Sequence, residues 1–289
     1  MRIANVRGRL AIVPASIASI LDAGVVEGVD VERASGGRFE SDPQAVYPRW
    51  DEFEPWAKEV SLDRPDVVIR PEDLGPVVTR PAQVFAIGLN YAAHAAESKV
   101  EAPSSPPTFT KFPTCLAGPF SPVPLPVGSV DWEVELVAII GREARHVTHE
   151  RAWEHVAGVT VGQDISERQL QMMGPVPQFS LAKSFPCFGP IGPALVTVDE
   201  LDDPDDLAIG CSIDGESVQS ARTGMMLFDV PALIAHLSSI VSLLAGDVIF
   251  TGTPGGVGKD RDPMRFLRVG ETIESEIEGI GRLRNVMIA

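Results

Sequence analysis

Asp131-Trp132-Glu133-Val134-Glu135-Leu136-Val137-Ala138-Ile139-Ile140-Gly141 is an apolar run that opens with acids at alternate positions and closes on glycine. A run of this length bounded by glycine predicts a buried strand over 133–140. Side chains two apart on a strand share a face, with Cα atoms roughly 6–7 Å apart. Two ionised carboxylates on one face, at the mouth of an apolar strand, repel unless a cation sits between them or one holds a proton. A second acidic strand end, Val159-Thr160-Val161-Gly162-Gln163-Asp164, can add a third carboxylate. Three such oxygen donors suit a hard divalent cation such as Mg²⁺. Glu-x-Glu is also common at solvated strand ends, so spacing alone leaves both readings open.

Working outward, short strands are expected at 84–88, 158–162, 194–198, 208–213, 247–251 and 271–277, with an opening strand over 3–13. Helices are expected at 91–99, 166–173 and 230–244. With 26 glycines and 25 prolines punctuating it, the chain reads as a β-dominated α+β protein with peripheral helices. Residues 1–72 differ in texture and are expected to form a small N-terminal domain. The Pro/Asp/Arg-rich stretch 63–81 is the candidate connection to a larger domain over 73–289. Trp50, Phe53 and Trp56 recur at three-residue spacing, which predicts a helix packed by its aromatic face. Leu233, Leu237, Ile240 and Leu244 mark a second core helix.

The 289 residues carry 40 acids against 24 bases, a formal net charge of −16. That balance argues against nucleic acid or an anionic membrane surface as a partner. It leaves room for a small anionic substrate, because one metal and a few arginines reverse the field locally. The three cysteines are widely spaced and odd in number, which suggests reduced thiols in a cytoplasmic protein. Arg2, Arg7 and Arg9 precede an apolar stretch that Pro14 interrupts, so the start reads as a strand and short helix rather than a signal peptide. No uninterrupted apolar run approaches a membrane-spanning length.

Four further segments bear chemistry. In Ile87-Gly88-Leu89-Asn90-Tyr91-Ala92-Ala93-His94-Ala95-Ala96-Glu97, Asn90 is a candidate helix cap. His94 and Glu97 share a helix face, where they can hydrogen-bond. A carboxylate holding one imidazole nitrogen protonated makes the other a better base; a surface His–Glu pair is the alternative. After Asp164, Arg168 and Gln171 project one helical turn further from a common face, as a cation and an amide aimed at a bound group or as an ordinary polar surface. Lys183 precedes the rigid loop Ser184-Phe185-Pro186-Cys187-Phe188-Gly189-Pro190, which can hold it near the carboxylates or leave it on the surface. Finally, Gly252-Thr253-Pro254-Gly255-Gly256-Val257-Gly258 follows a strand but lacks the residues of a Walker A loop, since Asp260 follows Lys259. Its free N–H groups and the Thr253 hydroxyl can still grip a carboxylate.

In this order the segments resemble the fumarylacetoacetate hydrolase family over roughly residues 80–289. The resemblance rests on five motifs: Gly88-Leu89-Asn90-Tyr91 with His94 and Glu97; Glu133-Val134-Glu135-Leu136; Gln163-Asp164-Ile165-Ser166; the Lys183 loop with Gly189-Pro190; and Thr251-Gly252-Thr253-Pro254 with Gly256-Val257-Gly258. It implies a mixed β-sandwich roll, dimeric, with a small N-terminal β domain. It further implies Glu133, Glu135 and Asp164 as Mg²⁺ or Mn²⁺ ligands and His94 with Glu97 as a water-activating dyad. Lys183, Arg168, Gln171 and Thr253 become candidates for holding substrate or the metal shell. The implied activity is hydrolysis of a carbon–carbon bond in an acylpyruvate-type diketo acid. Oxaloacetate decarboxylation, hydroxydienoate isomerisation and a catalytically silent metal-binding protein are alternatives. Two departures bear on substrate: Ser166-Glu167-Arg168-Gln169 stands where members acting on small 2-oxo acids have Ser-Ala-Arg-Asp, and Pro186-Cys187 where many have an Asp.

Overall fold

The computed structural model describes residues 1–289. The strand Val134–Ile140 lies near the middle of a 12-stranded sheet. Antiparallel Val156–Gln163 pairs along one edge of it, with Glu135 opposite Gly162 and Val134 opposite Gln163, and Val248–Phe250 along the other. Gly189–Val196 continues the sheet beyond Val156–Gln163. Val84–Ile87 runs parallel to Val248–Phe250 at the opposite end.

The apolar run exists because this strand is covered on both faces. Leu136, Ala138 and Ile140 pack into a 36-residue core shared with Ile209, Ile213, Ile273 and Ile277. Those four belong to a second sheet, ordered Glu216–Arg222, Ala208–Ile213, Thr272–Ile277, Gly281–Ile288 and Val123–Pro124. Val137 and Ile139 point the other way, into a 22-residue core with Tyr47, Trp50 and Phe53. Glu133 and Glu135 share the parity of Val137 and Ile139, at the end where the apolar cover stops.

The N-terminal 72 residues add to this same sheet. The expected single strand over 3–13 is a hairpin, Arg2–Val6 and Arg9–Ile12, turned by Arg7 and Gly8 at φ 53° and 80°. Its first strand pairs with Gly189–Val196, so the sheet runs without interruption from the N-terminal segment into the rest of the molecule. Trp50–Lys58 is helical and buries Trp50 and Phe53, as the aromatic spacing predicts.

Three further expectations need correction. The helix expected over 166–173 is a short strand, Ser166–Glu167, followed by one helical turn, Arg168–Gln171. The helix expected over 230–244 is Val230–Ile240, and Ile240 and Leu244 lie 64% and 40% exposed rather than in the core. Asn90 does not cap the helix Ala92–Glu97. Its amide donates to Phe228 O and Thr251 O and accepts from Phe228 N–H, so it ties together the two loops flanking the strand end. No helix is long and apolar enough to cross a membrane.

Candidate active site

Three carboxylates from two neighbouring strand ends converge on one point. Glu133 and Glu135 leave the central strand, Asp164 leaves its neighbour, and their carboxylate oxygens lie within 4.8 Å of one another. All three are buried. Glu135 accepts from Gly252 N–H at 2.7 Å. Gly252 sits at φ 97°, and a Cβ there would come within 2.6 Å of Asn90 Cβ, so the turn that supplies this donor requires glycine.

The cluster is laced with cations. Lys183 Nζ donates to Glu133 at 2.6 Å and to Asp164 at 2.7 Å. Arg168 bridges Glu133 at 2.6 Å and Asp131 at 2.8 Å, and donates to Gln171 Oε1. Burial alone would raise Glu133, but Lys183, Arg168 and His94 overcome it and hold its carboxyl well below the usual range. Glu135 is pushed the other way, first by burial and then by the charges of Asp164 and Glu133. Two neighbouring carboxylates so differently placed are the response of a site with one negative charge too many for its fixed cations.

The donor set fits a hard divalent cation: three carboxylates with no soft ligand among them. Two buried polar atoms nearby, His94 Nδ1 and the Tyr91 hydroxyl, have no hydrogen-bond partner in the chain. Both stand close enough to feel the cluster, His94 through Glu133 and Tyr91 through Glu135. The site therefore has uncommitted groups for a metal's waters or a substrate's oxygens.

Glu133, His94, Arg168, Gln171, Lys183 and Thr253 all face one cavity of about 450 Å³. A wider concavity of about 560 Å³ on the outside of the second sheet contains none of them. Burial lowers the His94 pKa more than Glu133 raises it, which disfavours the charged imidazole. The expected His94–Glu97 hydrogen bond is not made, because Nδ1 and the nearest carboxylate oxygen are 3.8 Å apart. Both Glu97 oxygens instead lie 2.9 Å from Gly256 N, fastening the helix to the glycine turn. Thr253 is committed as well: its hydroxyl donates to Val134 O and accepts from Gln219 Nε2. What it offers directly to a bound molecule is correspondingly small.

Sequence reading passed over two charged residues. Lys111 is buried beneath the cluster, donating to Asp164 at 2.7 Å and to Phe188 O, with Lys183 O also against its ammonium. A lone lysine between Phe109-Thr110 and Phe112-Pro113 was the only signal. Asp131 accepts from Arg168, Gly258 N–H and Lys259 N–H, and so clamps the glycine turn to the arginine. It is the first of the alternating acids, and its parity marked it.

A buried carboxylate triad with its own lysines and arginine, opening beside a buried histidine into a ligand-sized cavity, is the candidate active site and has the donor set of a divalent-metal site. Residues 83–288 match the model of the fumarylacetoacetate (FAA) hydrolase C-terminal domain. The human mitochondrial oxaloacetate tautomerase FAHD2A is 45% identical over 213 residues, 73% of this chain and 68% of that protein. A crystal structure from Mycobacterium smegmatis, carrying the provisional name HpcE, superposes with a TM-score of 0.92 at 50% identity, covering 100% of this chain and 99% of that one. Maleylpyruvate hydrolase from Sphingobium sp. SYK-6, solved with manganese(II) and pyruvate, gives 0.78 at 26% identity, covering 100% and 99%. This chain belongs to the fumarylacetoacetate hydrolase family. The expected strand-rich α+β roll agrees with these structures. The cytoplasmic assignment is corrected, since human, rat and bovine relatives are named as mitochondrial. Three unpaired thiols point only to a reducing environment and do not separate one such compartment from another.

Proposed function

We propose that this chain is a divalent-metal-dependent hydrolase that cleaves the carbon–carbon bond of an acylpyruvate. The observation that carries the reading is the buried His94, its Nδ1 without a partner in the chain, facing the same cavity as the carboxylate cluster. A Mg²⁺ or Mn²⁺ ion held by Glu133, Glu135 and Asp164 would supply Lewis acidity toward the two oxygens of a 2-oxo carboxylate.

The protein's own groups carry the remaining steps. Arg168 and Lys183, fixed by their carboxylate partners, keep positive charge at the end of the cavity where the substrate's anionic head sits. Gln171 offers its amide N–H₂ beside them. His94 removes a proton from water, and the resulting hydroxide adds to the distal carbonyl at C4. The C3–C4 bond then breaks, its electron pair passing to the pyruvate fragment as the enolate, while the acyl fragment leaves as a carboxylic acid. The proton held on His94 returns to C3, giving pyruvate, and the acid ionises. Rotation of Glu97 from Gly256 N–H onto His94 Nδ1 would orient the imidazole and stabilise its charged form.

A second reading is proton transfer alone, as in an oxaloacetate tautomerase. It draws on the 45% identity to a protein of that name and on the open His94–Glu97 pair, because keto–enol exchange requires a base but no attacking water. The purified protein with Mg²⁺ and an acylpyruvate distinguishes them. Hydrolysis consumes the diketo acid's ultraviolet absorbance and yields pyruvate plus a carboxylate. Unchanged acylpyruvate alongside accelerated oxaloacetate keto–enol exchange would overturn the first reading for the second. A homodimer is part of the same proposal, testable by light scattering.

A further inference from the structure

We infer, resting on the hydrolase reading, that the substrate's distal end is uncharged and apolar, so that this enzyme takes an alkyl- or aryl-acylpyruvate rather than a dicarboxylic oxo acid. The cavity grades from charged to apolar. Glu133, Arg168, Gln171 and Lys183 are its buried charged and polar members, and Phe109, whose ring centroid lies 5.3 Å from Lys183 Nζ, belongs with Phe179, Met172 and Val100 to an apolar wall interrupted by Ser98, Thr108 and Lys259. The rings of Phe109 and Phe179 lie 5.3 Å apart, centroid to centroid, and form one continuous aromatic surface. Met172 is 62% and Val100 49% exposed, so apolar side chains border the cavity where it meets solvent.

A second carboxylate on the substrate would need a cation at that wall. Three cationic side chains reach the cavity, and each is already paired. Arg168 is held by Asp131 and Glu133, and Lys183 by Glu133 and Asp164. Lys259 donates to Asp260 at 2.6 Å and to Ser98 Oγ at 2.8 Å. The wall's two hydroxyls already donate elsewhere, Ser98 to Asp260 and Thr108 to Pro106 O, so a distal carboxylate would lose water there without a free donor, or would have to pull Lys259 from Asp260. An alkyl or aryl tail would be buried there without such a loss.

The test is a matched pair, 2,4-dioxoheptanoate and 2,4-dioxoheptanedioate, which share a carbon count and differ only in the terminal group. With the Mg²⁺-loaded enzyme, kcat/KM for the monoacid should exceed that for the diacid by on the order of tenfold or more. Met172→Lys, a change at an exposed position, should reduce that ratio by adding an unpaired cation to the apolar wall. Equal or better use of the diacid by the unmodified protein would overturn the inference while leaving hydrolysis standing. If neither acid is cleaved, hydrolysis itself fails, and calorimetric binding of the same two acids with Mn²⁺ present decides the tail. Tighter monoacid binding upholds the inference; equal or tighter diacid binding overturns it.

Discussion

Replacing Lys183 by methionine should destabilise the metal-free protein far more than the metal-loaded one. Lys183 is 3% exposed and its ammonium spans Glu133 and Asp164, so the substitution removes two charge-assisted hydrogen bonds from groups that cannot reach water. Removing one partner of a buried ion pair costs about 3–5 kcal/mol, because the remaining charge stays buried and unpaired. Arg168 still faces Glu133 and Lys111 still faces Asp164, which places the cost near 3 kcal/mol. At a urea m-value of about 3 kcal/mol/M, the midpoint would fall by about 1 M. A divalent ion placed among the same carboxylates restores the missing positive charge, so saturating Mg²⁺ should recover most of that loss beyond its stabilisation of the parent protein. Urea titrations in chelator and in Mg²⁺, at one fixed protein concentration, give both numbers. The pH dependence carries a sign. Because Glu133 is held below its unfolded pKa, its contribution is present above the ordinary carboxylate range and is lost as pH falls toward the folded value. In Lys183→Met the folded value rises, so that contribution is smaller and its loss is complete at a higher pH. A variant as stable as the parent in chelator, or one whose deficit Mg²⁺ leaves untouched, would refute the charge-balance argument.

Further expectations concern the other site residues. His94→Ala should lower turnover by roughly 10²–10⁴-fold, the range for a lost general base, while Mn²⁺ affinity measured by calorimetry stays within experimental error; full activity would remove His94 from the mechanism. Glu135→Ala should abolish both turnover and tight metal binding, and retained stoichiometric Mn²⁺ binding would count against the triad. The acid limb of kcat/KM should lie below the ordinary imidazole value of about 6.5, because burial disfavours the charged form of His94. An acid limb above that value would show that another group governs. Asp131→Asn weakens the clamp on Arg168 and the Gly258 turn, and should raise KM with little change in Mn²⁺ affinity; unchanged KM would restrict Asp131 to a purely structural part.

Much of the site was legible because its chemistry sits at the ends of periodic elements. Alternation places Glu133 and Glu135 on one face whatever the rest of the molecule does, and a two-residue period cannot put them apart. The same alternation tells which residues of 134–140 face each core. Helical spacing likewise places Arg168 beside Gln171, and they meet through a 2.9 Å hydrogen bond. Loops and long-range partners were less readable. Asn90 has the residue type of a helix cap, yet its amide groups serve Phe228 and Thr251, which are distant in sequence and invisible to a local rule.

The sequence by itself determined the buried central strand, the pairing of two acids on its face, and the order of five motifs that marks the family. These are local, since side-chain parity and turn chemistry are set by neighbours in the chain. Only the tertiary structure decided the rest. It brought Asp164 across the sheet to the two glutamates and set Lys111 beneath them. It left His94 and Glu97 3.8 Å apart rather than bonded, and it paired every cation of the cavity with an acid. Those outcomes depend on strand register and loop closure among residues dozens of positions apart. The balance of buried charge follows from which groups that closure leaves without water.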